Sequence, residues 1–211
     1  MTPDHLARRV RAAGVRDVHV LAAIREVPRA AFVPAEHVDD AYRDAPIPIR
    51  HDQVTTQPSL SAQMIEALEL TGAERVLEIG TGLGFQTALL ARLAAEVVTI
   101  ERWSDLAEEA SQNLIRQDIA NVTVLVRDGS RGAPEHGPYD AVVVSAAFPS
   151  VPPPLVEQLR TGGRLVQPIG AGGHEQVVLF ERTADGLARR RVLTLARFVR
   201  LYGQYGFPPE P

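Results

Sequence analysis

The sequence predicts an α/β fold: a doubly wound, mostly parallel sheet that ends in an antiparallel hairpin and carries an N-terminal helical layer. Three observations predict it. From Pro58 onward short apolar runs alternate with segments of helical period, as βαβ units require. One of those runs passes straight into three alternating glycines and then into a helix. Near the C-terminus two β-rich runs follow each other with no helix-length insert, which makes a hairpin.

Taken in order, Thr2-Pro3 reads as an N-cap with proline at the first helical position, and Leu6, Val10 and Ala13 recur at helical spacing up to Gly14. A second helix carries Val18, Leu21 and Ile24 and ends near Pro28. Pro34, Pro46 and Pro48 then keep the chain extended or turning. Met64 and Leu68 mark the next helix face, Arg75–Ile79 a buried strand, Leu89 and Leu93 a helix, and Glu96–Glu101 a strand. A helix with Leu106, Ala110 and Leu114 follows, then strands Val122–Val126 and Tyr139–Val144, a helix over Pro154–Leu159 and a strand over Arg164–Gln167. Val177–Arg182 and Val192–Leu201 form the closing hairpin around Ala184-Asp185-Gly186. The tail from Tyr202 either folds over the domain or frays.

Residues 1–211 are expected to form one domain, with a helical and loop layer over 1–57, the sheet core over 58–201 and a tail over 202–211. Apolar residues make up 45% and charged residues 23%, which excludes a disordered chain. The 22 basic and 26 acidic residues leave a net charge of −4, so nucleic acid is not an expected partner. The absence of cysteine removes disulfides, thiolate catalysis and cysteine-containing zinc sites. Met1-Thr2-Pro3-Asp4-His5-Leu6 lacks a signal-peptide core and no apolar stretch is membrane-length, so a cytoplasmic protein without membrane contact is expected; a monomer is the default expectation. His5, His19, His37, His51, His136 and His174 are scattered without ligand spacing, and no metal site is expected.

The chemistry concentrates at three strand ends. Gly80-Thr81-Gly82-Leu83-Gly84 forms a tight turn whose backbone approaches a ligand beneath a helix N-terminus. Phe85 stands where a G-x-G-x-x-G dinucleotide fingerprint places its third glycine, which demotes nicotinamide and flavin. Glu101, nineteen residues beyond Gly82, ends the next strand and suits both hydroxyls of a ribose. Asp128-Gly129 ends the strand after that; the carboxylate suits an adenine amine and the glycine lets backbone close over the ring. The plainer readings are a bare strand-to-helix connection, a solvated strand end at Glu101 and a turn cap at Asp128. The three together favour an adenosyl cofactor.

With the upstream segment Gln53-Val54-Thr55-Thr56-Gln57-Pro58-Ser59-Leu60-Ser61, the chain resembles the protein-L-isoaspartate O-methyltransferase family from about Val27 to Leu201. The markers are Val27-Pro28-Arg29-Ala30-Ala31-Phe32-Val33-Pro34, Ala41-Tyr42, Gln57-Pro58, Val76–Gln86, Asp128-Gly129, Pro138-Tyr139-Asp140, Gly162-Gly163-Arg164-Leu165, Pro168-Ile169-Gly170 and Arg197-Phe198-Val199. The resemblance implies a Rossmann-like class I methyltransferase, S-adenosyl-L-methionine as cofactor, and isoaspartyl-containing peptides or proteins as partners. It implies that the α-carboxylate is methylated and that the ester collapses to a succinimide, which hydrolyses partly to normal aspartate. It further implies that Gln57, Pro58, Ser61, Glu78, Gly80, Thr81, Gly82, Leu83, Gly84, Gln86, Glu101, Arg102, Leu106, Asp128 and Gly129 serve the cofactor. Thr56 is the implied catalytic residue, and Thr55, Val199 and Tyr202 the implied substrate contacts. A carboxylate with a reference pKa of about 3.9 is already ionised, so positioning, not a general base, is the expected catalytic device.

Two departures stand out. Thr56 replaces the family's serine; it keeps the hydroxyl but adds a methyl that stiffens χ1. The plainer reading makes Thr55 and Thr56 helix N-caps. Arg200 stands where the family has proline, which bears on acceptor preference. Trp103 either shelters adenine or packs at a helix start; Tyr202 either closes the site or packs under the tail; Arg189-Arg190-Arg191 reads as a solvated hairpin segment. The rival functions are methylation of a dedicated aspartyl peptide or small carboxylate, a cofactor-binding module without turnover, and a nicotinamide-dependent oxidoreductase.

Overall fold

The structure is a computed structural model and describes residues 2–208. Its N-terminal layer follows the expected punctuation. The Thr2 side chain accepts the His5 N–H at 3.3 Å and opens α1 (Pro3–Ala12). Asp17 accepts from His19 and Val20 to open α2 (Val18–Glu26), which stops ahead of Pro28. Two 3₁₀ turns, Arg29–Phe32 and Ala35–Asp40, lead to the short antiparallel pair β1 (Ile47–Pro48) and β2 (Val54–Thr55). Helix α3 (Pro58–Glu66) ends before Leu68, which is buried beyond it.

The main sheet alternates β3 (Arg75–Ile79), α4 (Phe85–Ala91), β4 (Glu96–Glu101), α5 (Ser104–Arg116), β5 (Val122–Val126) and β6 (Tyr139–Val144). It continues through α6 (Pro153–Glu157), β7 (Leu159–Ile169), β8 (Glu175–Thr183) and β9 (Gly186–Ala196). The spatial order is β5-β4-β3-β6-β7-β8-β9, parallel as far as β7 and antiparallel beyond it. Strand β3 pairs with both β4 and β6, so the winding reverses there, and ligands of open α/β sheets bind at that reversal. Along β3 and β4 alternate residues face opposite layers and both sets are buried. Val76 and Val97 pack with the N-terminal helices and α4, Leu77, Ile79, Val98 and Ile100 with Tyr139, Leu155 and Leu165. Two covered faces explain why these strands are apolar on both sides, interrupted only by the buried polar residues Glu78 and Thr99 and by charged ends.

Two expected boundaries are corrected. The strand placed over Arg164–Gln167 is β7, which begins at Leu159: Leu159 pairs with Tyr139, and a register shift absorbs the Gly162-Gly163 pair. The helix ahead of it therefore ends at Glu157. The last strand is Gly186–Ala196, not Val192–Leu201, because pairing starts at the tight turn, Thr183 opposite Gly186, and β8 runs out at Glu175 opposite Ala196. Arg189-Arg190-Arg191 accordingly lies within an exposed edge strand, with Arg189 on Gln176 and Arg190 on Glu181.

Beyond β9 the chain turns away from β8. The buried carboxylate of Glu175 accepts the Phe198 N–H at 3.0 Å, and Val199–Leu201 crosses to the end of β6, where Ala147 donates to Val199 and accepts from Leu201. The tail then folds back. Gly203 donates to Phe207, Phe207 to Leu201, and the Phe207 ring sits edge-on to Phe148 at 5.1 Å. Among the described residues no helix is long and apolar enough to cross a membrane.

Candidate active site

A cavity of about 330 Å³ opens at the C-terminal ends of β3, β4 and β6. Its inner wall is the glycine turn, one side is the 53–57 segment with the start of α3, and the opposite side is Leu195–Tyr202. That volume falls within the range of small-molecule and cofactor sites.

The glycine turn requires glycine: Gly80, Gly82 and Gly84 have φ of 97°, 55° and 95°, and Gly84 is the left-handed N-cap of α4. Glu101 locks the turn from the neighbouring strand. Its Oε2 accepts the Gly82 N–H at 2.9 Å, and Oε1 accepts from Arg102 and Trp103 at 2.8 and 3.1 Å. With 6% of its surface exposed, Glu101 is not a solvated strand end. Burial raises its pKa, and the three backbone N–H groups pull the other way.

Glu78 stands behind this wall, fully buried, and accepts hydrogen bonds from Thr87, from Thr99 at 2.7 Å and from Gln86 Nε2 at 3.1 Å. Burial pushes its pKa up to about 7 against those bonds. It acts on the cavity through Gln86, whose Nε2 also donates to Ser145 Oγ at 2.9 Å. Both amide hydrogens are thereby spent, and Gln86 Oε1 is left buried with no partner in the wall; Ser61 Oγ is buried and unpartnered there too.

Asp128 follows the end of β5 as expected, but its carboxylate is engaged within the protein and does not line the cavity. Its Oδ1 accepts the N–H and O–H of Ser130 at 2.9 and 2.6 Å, and Oδ2 accepts the Gln204 N–H of the tail at 2.8 Å. It caps the turn, while its neighbour Gly129 lines the cavity so close to Ile79 that a Cβ would fall 2.5 Å from Ile79 Cγ2. Of the other residues expected to serve the cofactor, Gln57, Thr81, Leu83 and Arg102 line the cavity, whereas Pro58, Gly84 and Leu106 do not, Leu106 being wholly buried on α5.

The 53–57 segment hangs on Arg29, a residue with no exposed surface. Its guanidinium donates to the carbonyls of Ala41, Arg43, Ala45 and Thr56 and to Thr55 Oγ1, all within 3.3 Å, and lies 5.5 Å from the centre of the Phe85 ring. Thr55 is thus tied inward. Thr56 is half-buried in the cavity wall, and among the described residues its hydroxyl has no hydrogen bond. Neither threonine caps α3. Asp44 does, accepting the Ser59 N–H at 2.9 Å and the Gln57 amide at 3.2 Å; the N-cap position itself falls on Gln57, past both threonines.

At the mouth, Arg102 is stacked between Trp103 and Tyr202, 4.8 and 5.0 Å from their ring centres, and Trp103 lies flat on His51 at 4.0 Å. Trp103 packs at the helix start outside the cavity wall; Tyr202 and Val199 line it. Sequence reasoning left Arg29, Asp44, His51 and Ser145 without a role. The available signal for Arg29 was a lone cation inside the apolar marker Val27–Pro34.

A cavity at the sheet's reversal point, walled by a glycine turn that a buried acid fastens, defines the class as a Rossmann-like cofactor-binding protein. The sequence profile of the Protein-L-isoaspartate(D-aspartate) O-methyltransferase (PCMT) family matches residues 1–206, and the chain belongs to that family. It is 50% identical over 210 residues to Protein-L-isoaspartate O-methyltransferase 1 of Rhodopseudomonas palustris strain HaA2, covering 98% of this chain and 86% of the relative. A Methanoculleus marisnigri protein-L-isoaspartate O-methyltransferase is 46% identical over 95% of this chain and 91% of its own. A solved protein-L-isoaspartate O-methyltransferase superposes with a TM-score of 0.87 at 29% identity, over 97% of this chain and 67% of its own. A Plasmodium falciparum structure, a putative protein-L-isoaspartate O-methyltransferase in complex with S-adenosyl-L-homocysteine, shares the fold with a TM-score of 0.81 at 21% identity, over 96% of this chain and 99% of its own.

Proposed function

We infer that this cavity carries methyl transfer from S-adenosylmethionine to the α-carboxylate of L-isoaspartyl residues in proteins and peptides. The residues present fit the cofactor: Glu101 offers acceptor capacity to a ribose diol, and Gln86 Oε1 offers an unpaired acceptor to the amino-acid end. Gly80, Gly82 and Gly129 give close backbone approach, and Asp128 serves through the turn it caps. The bound cofactor supplies an electrophilic methyl on a sulfonium.

What the chain itself must do is hold an already ionised carboxylate in line and exclude water. Val199 and Tyr202 close the acceptor side, and Arg102 braces Tyr202. The observation that carries the reading is Thr56: Arg29 holds its carbonyl, the residue lines the cavity, and among the described residues its hydroxyl has no hydrogen bond.

Thr56→Val is therefore expected to lower peptide methylation by about 10- to 100-fold, the loss of a hydrogen bond to a charged group. Cofactor affinity should stay within about twofold, and Thr56→Ser should remain active. Initial rates on an isoaspartyl peptide, with calorimetry of S-adenosylhomocysteine, read both; parent-like rates in the valine variant would remove Thr56 from the chemistry.

A further inference from the structure

Ser145 directly follows β6, beside the β3 end, at the point where the sheet reverses. Its backbone N–H is spent on the Ile79 carbonyl at 2.8 Å, and its Cβ lies against Gly80, where an added Cβ would come within 3.4 Å. Its side chain is half-buried and lines the cavity.

The hydrogen count decides what this hydroxyl can do. Gln86 Nε2 has two hydrogens; one goes to Glu78 and the other to Ser145 Oγ, so Ser145 is an acceptor on its protein side. Its own hydrogen has no acceptor among the described residues and is left for the cavity. Thr56, on the 53–57 segment of the same cavity wall, carries a second hydroxyl with no hydrogen bond among the described residues. An incoming carboxylate brings only acceptors, and the wall answers with donors from two sides. The orphaned Gln86 Oε1 is the reverse case, an acceptor that suits a cationic or hydroxyl group and not a carboxylate.

We propose that Ser145 is a second carboxylate-binding residue of the methyl-transfer reaction, its hydroxyl holding the acceptor from the sheet side while Thr56 holds it from the loop side, and that Gln86 and Glu78 are positioning residues that turn the Ser145 hydrogen toward the cavity. The assignment rests on the reading of this cavity as a carboxylate methyltransferase. It explains why a fully buried carboxylate, Glu78, sits behind the wall: with both Gln86 hydrogens directed, the amide cannot flip and Ser145 cannot turn its hydrogen inward.

The test pairs steady-state kinetics on an isoaspartyl peptide with calorimetry of S-adenosylhomocysteine, on the parent, Ser145→Ala and Ser145→Thr. The alanine variant is expected to lose at least tenfold in kcat/KM for the peptide while the S-adenosylhomocysteine Kd stays within twofold. The threonine variant, which restores a hydroxyl, is expected to recover to within about threefold of the parent. Parent-like peptide kinetics in Ser145→Ala would overturn the assignment. So would a Kd that weakens in step with the kinetics, which would give Ser145 to the cofactor. A parent inactive on the peptide would sink the underlying reading and this proposal with it, whereas an active parent with an unaffected alanine variant removes Ser145 alone.

Discussion

Arg29→Met is expected to lower the unfolding free energy by about 3 kcal/mol or more and the melting temperature by about 10 °C, with methylation falling further than stability alone explains. Methionine approximates the volume but donates nothing, so the carbonyls of Ala41, Arg43, Ala45 and Thr56 and the Thr55 hydroxyl lose their common donor together. Replacing a buried ionic group by an apolar one is neutral only when its partners go too; here the acceptors are backbone and remain. Burial pulls the Arg29 pKa down to about 10, which still leaves it charged at neutral pH, with the Asp44 charge favouring that form. Because the same guanidinium faces Phe85 at the start of α4, the substitution also loosens the loop's registration on the glycine turn. Calorimetric melts and peptide kinetics check this; a melting temperature within 2 °C of the parent would show that water replaces the guanidinium at little cost.

Glu101→Ala is expected to weaken S-adenosylhomocysteine binding by about five- to 150-fold, or 1–3 kcal/mol, with less effect on the fold than Arg29→Met. Two losses coincide. A ribose loses its acceptor, and the backbone N–H groups of Gly82, Arg102 and Trp103 lose theirs, so the cradle itself is less well ordered before the ligand arrives. Isothermal calorimetry measures the affinity directly. A dissociation constant within twofold of the parent would reduce Glu101 to a fastener of the turn.

The parallel half of the fold was legible because β3, β4, β5 and β6 are short, mostly apolar runs, most of them bounded by glycine or charge, and their ends fall where they were read. The antiparallel half was not. An edge strand tolerates charge on its open face, so Arg189-Arg190-Arg191 disguised β9, and Gly162-Gly163 reads as a break in a strand that bulges and continues. In the site, the glycine turn and Glu101 were legible from local spacing, and Thr56 from its motif. Arg29 reaches Thr55 across 26 positions and Gln204 reaches Asp128 across 76, distances over which sequence pattern carries no signal. Ser145 was missed for a different reason: its significance is a hydrogen left over after Gln86 has been satisfied, a count that exists only in three dimensions.

The most direct test of the account is methyl incorporation from labelled S-adenosylmethionine into several unrelated peptides, each supplied as an isoaspartyl form and as its aspartyl twin. The account predicts methylation of every isoaspartyl form and little of any twin, the pattern expected of a site that selects by where the acceptor carboxylate lies. Labelling confined to a single aspartyl peptide, or to a small carboxylate, would contradict it.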